Sequence, residues 1–156
     1  MVVSWFECPT TPTPSSTEEG SQKGESPMTP EQLLQHAIKA RENAVATFSH
    51  YKVGAALVTA EGRVYTGCNI ENATYGLSVC AERVALWKAL SEGERVFARI
   101  AVVSGKKRPA APCGACRQLL WEFCGDLEVV LGNTSGVNEL HHLAELFPRP
   151  FDQRSL

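Results

Sequence analysis

The sequence predicts an α/β domain of three layers, with helices on both faces of a five-stranded mixed sheet. Three observations predict it. Helical and strand patterns alternate in the order α-β-β-α-β-α-β, followed by a short tail element. The run Ile100-Ala101-Val102-Val103 fits a strand buried on both faces. Hydrophobic residues make up 44% of the 156, enough for one packed core and little more than one domain.

The elements follow in order. Residues 7–28 are rich in Pro, Ser, Thr, Glu and Gly, so 1–28 is read as a disordered tail before a domain over 29–156. Met28 stands just before a helix start, an alternative first residue; a targeting or partner-binding tail is the competing reading. Thr29-Pro30-Glu31-Gln32 holds a capping box with proline at the first helical position. Leu33, Leu34, Ala37, Ile38, Ala44 and Val45 continue at helical spacing and predict a helix ending near Ala46. Val53 to Thr59 and Arg63 to Cys68 read as a hairpin turning at Glu61-Gly62. A second helix is predicted over Ser78 to Leu90, closed by Gly93. Phe97 to Ser104 is the buried strand, and Lys106-Lys107-Arg108-Pro109 is a solvated loop. A third helix over Cys113 to Phe123, a strand over Leu127 to Leu131, a turn at Gly132 to Gly136 and a helix or strand-helix at 138–146 complete the chain.

Charge narrows the partners. The net charge is −2, but residues 1–28 hold four acids and one base, leaving the domain at +1. A nearly neutral domain argues against nucleic acid as a partner and for a small, weakly charged ligand. No stretch approaches the ~20 apolar residues of a membrane span, so no membrane partner is expected. Met-Val-Val-Ser-Trp-Phe-Glu has neither a basic nor an apolar signal region, and a reduced, cytoplasmic protein is expected. Six cysteines at 8, 68, 80, 113, 116 and 124 are therefore not read as three disulfides.

Two segments at predicted helix starts carry the chemistry. Cys80-Ala81-Glu82 supplies one thiol and a carboxylate; Pro112-Cys113-Gly114-Ala115-Cys116 supplies two more thiols. Three soft ligands with one C-x-x-C pair suit tetrahedral zinc, and three leave a fourth position open, as in a catalytic site. Helix N-termini stabilise thiolates. Glu82, two residues after Cys80, lies beside the metal but is badly placed to ligate it, and a carboxylate there can shuttle a proton from an activated water to a leaving group. That pairing is what hydrolytic deamination requires. Arg83, one turn after Cys80, can return to the thiolates and offset their charge; Arg117 is a weaker candidate for that role, or a surface or interface residue. A structural zinc site is the bland alternative. It needs a fourth protein ligand from among Cys68, Cys124, His50, His141 and His142.

The pattern H-x-E, with cysteine in the histidine place, followed by P-C-x-x-C is the zinc-deaminase signature. Phe48 to Ala56, Gly67-Cys68-Asn69-Ile70-Glu71-Asn72-Ala73, Cys80-Ala81-Glu82-Arg83 and Pro112 to Gln118 closely resemble the small cytidine deaminase family, over roughly residues 29–152. The resemblance implies the cytidine deaminase-like fold, one Zn²⁺ per subunit on Cys80, Cys113 and Cys116, and Glu82 as the catalytic proton shuttle. It implies a nucleoside substrate, cytidine or 2′-deoxycytidine in pyrimidine salvage, with attack at ring C4. Asn69 and Glu71 would bind the ribose hydroxyls, the Ala81 backbone and Glu82 would read the pyrimidine edge, and Tyr51 would pack on the base. Here the family more often has Phe followed by Pro, where this chain has Tyr51-Lys52. The resemblance also implies a homotetramer in which Phe151 reaches a neighbouring subunit's site, and Arg83 bonding to ligand cysteines. Deaminases of other bases or nucleoside analogues, such as blasticidin-type enzymes, and a zinc-stapled interaction module without turnover are the competing readings.

Overall fold

The computed structural model describes residues 28–152. The tail expectation for residues 1–27, and Cys8 with it, lies outside the described residues.

Helix α1, Pro30–Glu42, begins as its capping box dictates: the Thr29 hydroxyl accepts from the Gln32 N–H at 3.2 Å and the Gln32 side chain accepts from the Thr29 N–H at 2.9 Å. It ends at Glu42, short of the expected Ala46. Val45 is recruited elsewhere: its N–H donates to the Asn69 carbonyl at 3.0 Å and its carbonyl accepts from the Glu71 N–H at 2.8 Å. Those groups cannot also serve a helix.

Strands β1 (Val53–Thr59), β2 (Val64–Cys68), β3 (Phe97–Ser104), β4 (Glu128–Asn133) and β5 (Asn138–His142) form one sheet in the order β2-β1-β3-β4-β5. Only β3 and β4 run parallel. Between them crosses α3, Gly114–Cys124, while α2, Ala81–Ser91, crosses from β2 to β3, and α4, Leu143–Leu146, closes the fold. The tail element is thus a strand followed by a helix. Helix α2 starts later than the expected Ser78, because Val79 bridges Ile70 and a 3₁₀ turn occupies Tyr75–Leu77. Gly93 does close it, in the left-handed conformation (φ 94°). The turn expected at Gly132 shrinks toward its tip, since Gly132 and Asn133 still pair in β4.

Strand alternation produces the three layers. Ala56, Val58, Ala101, Val103 and Val130 pack under α1 with Leu33, Leu34 and Ala37. Ala55, Leu57, Ile100, Val102, Val129 and Leu131 face Ala81, Ala85 and Leu86 of α2 and Leu120 of α3. Two glycines let the layers close: a Cβ on Gly54 would lie 2.0 Å from the Ala37 carbonyl, and one on Gly67 would lie 2.4 Å from the Ala81 carbonyl. The close approach at Gly67 sets the position of the N-terminus of α2, which carries Cys80 and Glu82.

Candidate active site

The N-termini of α2 and α3 meet at the carboxyl end of β3, the usual place for a site in an α/β sheet. Cys80 caps α2 and Cys113 caps α3, both in extended conformation, with Cys116 one turn inside α3. The helices begin at Ala81 and Gly114, which makes each leading thiol a capping residue. The three Sγ atoms lie within 4.8 Å of one another, and Cys80 and Cys113 are 3.9 Å apart. Tetrahedral zinc with Zn–S bonds of about 2.3 Å holds its sulfurs about 3.8 Å apart, so this donor set fits zinc. Among the described residues no Cys68, Cys124, His50, His141 or His142 joins the cluster. Burial pushes the Cys124 thiol up to about 12, the mark of an inert core thiol.

The surroundings favour the thiolate at Cys80 and the thiol at Cys116. Cys80 is held down at about 5, first by hydrogen bonding with Cys116 and then by Arg83. Cys116 is pushed up by the same bond to Cys80 and by burial. Arg83 donates from Nη2 to Cys80 Sγ at 3.4 Å. Arg117 does not reach the sulfurs. It is half-buried, donating from Nε to the Pro112 carbonyl at 2.7 Å and from Nη1 to the Leu146 carbonyl, and so ties the loop before Cys113 to the end of α4.

A cavity of about 400 Å³ opens over the cluster, lined among others by Tyr51, Asn69, Glu71, Ala81, Glu82 and Arg83. Glu82 is only 5% exposed, and burial raises its carboxyl. Asn69 and Glu71 line the cavity while also holding its wall. Asn69 accepts from the Val53 N–H and donates to the Tyr51 carbonyl, both at 2.8 Å. Glu71 accepts from the N–H groups of Phe48 (2.8 Å) and Ser49 (3.1 Å) and from the Ser49 hydroxyl. Those bonds, the hydroxyl first, hold its carboxyl below the usual range. Among the described residues these bonds leave the second Nδ2 hydrogen of Asn69 and further carboxylate lone pairs of Glu71 unpaired.

Tyr51 lies in the wall, with Lys106 Nζ 5.9 Å from its ring centre. One charge of the loop read as solvated is therefore placed on the cavity's aromatic wall. His50 does not line the cavity; it holds a left-handed turn (φ 54°) before Tyr51. Phe151 also stands outside the cavity of its own chain: it is exposed, and its carbonyl accepts from Gln118 Nε2 at 2.7 Å. Sequence reasoning missed Val53, Val102 and Ser104, the cavity floor. Their signal is the strand period, which sends Val102 and Ser104 to the same face as Ile100.

Comparison with known proteins supplies the family. Residues 27–133 match the model for the cytidine and deoxycytidylate deaminase zinc-binding region. The chain belongs to this deaminase family. A cytidine deaminase of Halalkalibacterium halodurans is 52% identical over 120 residues, covering 76% of this chain and 91% of its own. One from Sporosarcina psychrophila is 46% identical over 127 residues, covering 81% and 93%. The crystal structure of cytidine deaminase from Burkholderia pseudomallei superposes with a TM-score of 0.77 at 51% identity, covering 80% of this chain and all of that one.

Proposed function

We propose that this chain hydrolyses cytidine and 2′-deoxycytidine to uridine and 2′-deoxyuridine with release of ammonia, a step of pyrimidine salvage. The observation that carries the reading is the pairing of three convergent thiols, two of which line the cavity, with the buried carboxylate of Glu82 beside them. Zinc bound by Cys80, Cys113 and Cys116, one ion per chain, would supply a Lewis acid that activates water for attack at ring C4. Glu82 takes a proton from that water and gives it to the ring nitrogen as the oxygen bonds to C4. It then takes the proton of the new C4 hydroxyl and passes it to the departing amine, so that the C4–N bond breaks, ammonia leaves and C4 keeps a carbonyl oxygen. Its burial suits this work, because a raised carboxyl gains and loses a proton closer to neutral pH. Arg83 offsets the negative charge of three thiolates.

Asn69 and Glu71 bind the ribose hydroxyls through their remaining donor and acceptor sites, the Ala81 backbone reads the pyrimidine edge, and Tyr51 packs on the base. The copies assemble as a homotetramer in the cytoplasm, Phe151 of each closing a neighbour's cavity.

The test is ultraviolet absorbance on cytidine, deoxycytidine, cytosine and CMP with zinc-loaded protein. Turnover of the two nucleosides, lost on chelation and restored by zinc, is the expected result. No change with any of the four would make the chain a zinc-stapled interaction module.

A further inference from the structure

Ser104 ends β3 at the floor of the cavity. Its side chain is buried, lines the cavity, and its Oγ has no hydrogen-bond partner among the described residues. Alternation along β3 sends Ala101 and Val103 toward α1, and Ile100 and Val102 toward α2 and α3. Ser104 therefore falls on the side of the three cysteines.

The other polar side chains at these strand ends are occupied. Asn133, opposite Ser104 in the β3–β4 register, donates to the Lys107 carbonyl at 2.6 Å and accepts from the Ser135 and Val137 N–H groups. Asn69 bonds Val53, the partner of Ser104 across β1 and β3. A buried hydroxyl without a partner destabilises a fold, and native proteins keep few of them. At the floor of a cavity, a ligand can supply the missing partner.

We propose that Ser104 is a substrate-binding residue whose Oγ hydrogen-bonds a polar atom of the pyrimidine ring; this rests on the deaminase reading above. The base fits this place better than the ribose. Val53 and Val102 flank the hydroxyl and offer apolar surface to a flat ring, whereas the free capacity of Asn69 and Glu71 is available for sugar hydroxyls. A serine hydroxyl both donates and accepts by rotating, so it fits the ring before and after deamination, when donor and acceptor positions on the base exchange.

The experiment compares wild type, Ser104→Ala and Ser104→Thr, all zinc-loaded. It measures cytidine kinetics, inhibition by uridine, and melting of the free protein. Loss of one hydrogen bond in Ser104→Ala raises KM for cytidine and the inhibition constant of uridine about 3- to 10-fold. The kcat stays within about twofold, the sign of binding made equally in ground and transition states. Melting of the free Ser104→Ala protein is unchanged or higher, since an unpaired hydroxyl has been removed. Ser104→Thr keeps the hydroxyl and restores KM. An unchanged KM in Ser104→Ala, with or without a lower melting temperature, overturns the proposal and makes Ser104 purely structural. Wild type inactive on cytidine overturns the deaminase reading and this inference together; active wild type matched by Ser104→Ala overturns this inference alone.

Discussion

At the scale of single residues, Glu82→Gln tests the assigned chemistry. The amide is isosteric but cannot carry a proton between water and amine, so kcat falls about 10²- to 10⁴-fold while fold and zinc content persist; circular dichroism, metal analysis and the absorbance assay check all three. Near-normal turnover would exclude Glu82 as the shuttle. Cys80, Cys113, Cys116 and Glu82 stand out in the sequence because few other roles call for three thiols and a carboxylate at helix starts. Ser104 does not stand out, since a serine ending an apolar strand reads as a boundary until neighbouring side chains show which polar groups are already paired. Glu71 gives a pH prediction. Its depressed pKa means that its bonds to Ser49 and Phe48 favour the fold above the ordinary carboxylate value of 4.5 and fade as pH falls through the lower folded-state value. The wall it holds is therefore intact from pH 5 to 8, and KM shows no inflection from Glu71 in that range. In Glu71→Gln the amide has a single oxygen to accept three hydrogen bonds, and KM rises on the order of tenfold.

At the scale of elements, boundaries marked by a local cap fall where the sequence puts them, and tertiary pairing moves the others. Thr29 and Gln32 contain the whole reason for α1 to begin where it does, as Gly93 does for the close of α2. Nothing near Val45 or Val79 announces that each pairs with a segment around Ile70, so the sequence places the end of α1 too late and the start of α2 too early. These two departures have a functional consequence. The bridges at Val45 and Val79 hold the segment carrying Asn69 and Glu71 against the cavity, which longer helices would not allow. The seat of α2 is equally specific. Gly67 lets α2 lie against β2, and a methyl group there meets the Ala81 carbonyl and the Ala85 nitrogen, backbone that cannot give way without moving the helix. Gly67→Ala is expected to destabilise the protein by about 1–3 kcal/mol. Because the displaced end carries Cys80 and Glu82, turnover and zinc retention fall with it. A variant that loses stability but keeps full kcat would show that the site tolerates movement of α2.

At the scale of the whole molecule, composition and strand periodicity disclose two packed faces of one sheet, but not the surface that remains uncovered. Val45, Phe48, Ile70, Tyr75 and Leu77 are exposed on segments beside the cavity, Tyr75 at 76%, and Phe48 meets Tyr75 edge to face at 5.9 Å. Apolar surface of this kind marks association. With Phe151 outside the cavity of its own chain, it supports the reading of a tetramer whose sites are completed by neighbours. Such a design makes a sharp prediction about mixtures. Phe151→Ala lowers turnover more than it lowers stability, because the side chain adds nothing to the core of its own subunit. Glu82→Gln abolishes turnover but keeps Phe151. When the two variants are unfolded and refolded together, some sites take Glu82 from one chain and Phe151 from the other. With random 1:1 assembly and one neighbour per site, about a quarter of sites regain both groups. Activity of the mixture then exceeds the average of the two variants assayed separately. Activity no greater than that average, in a mixture shown by native mass measurement to contain hybrid oligomers, would place Phe151 outside the shared site and leave each chain to complete its own cavity.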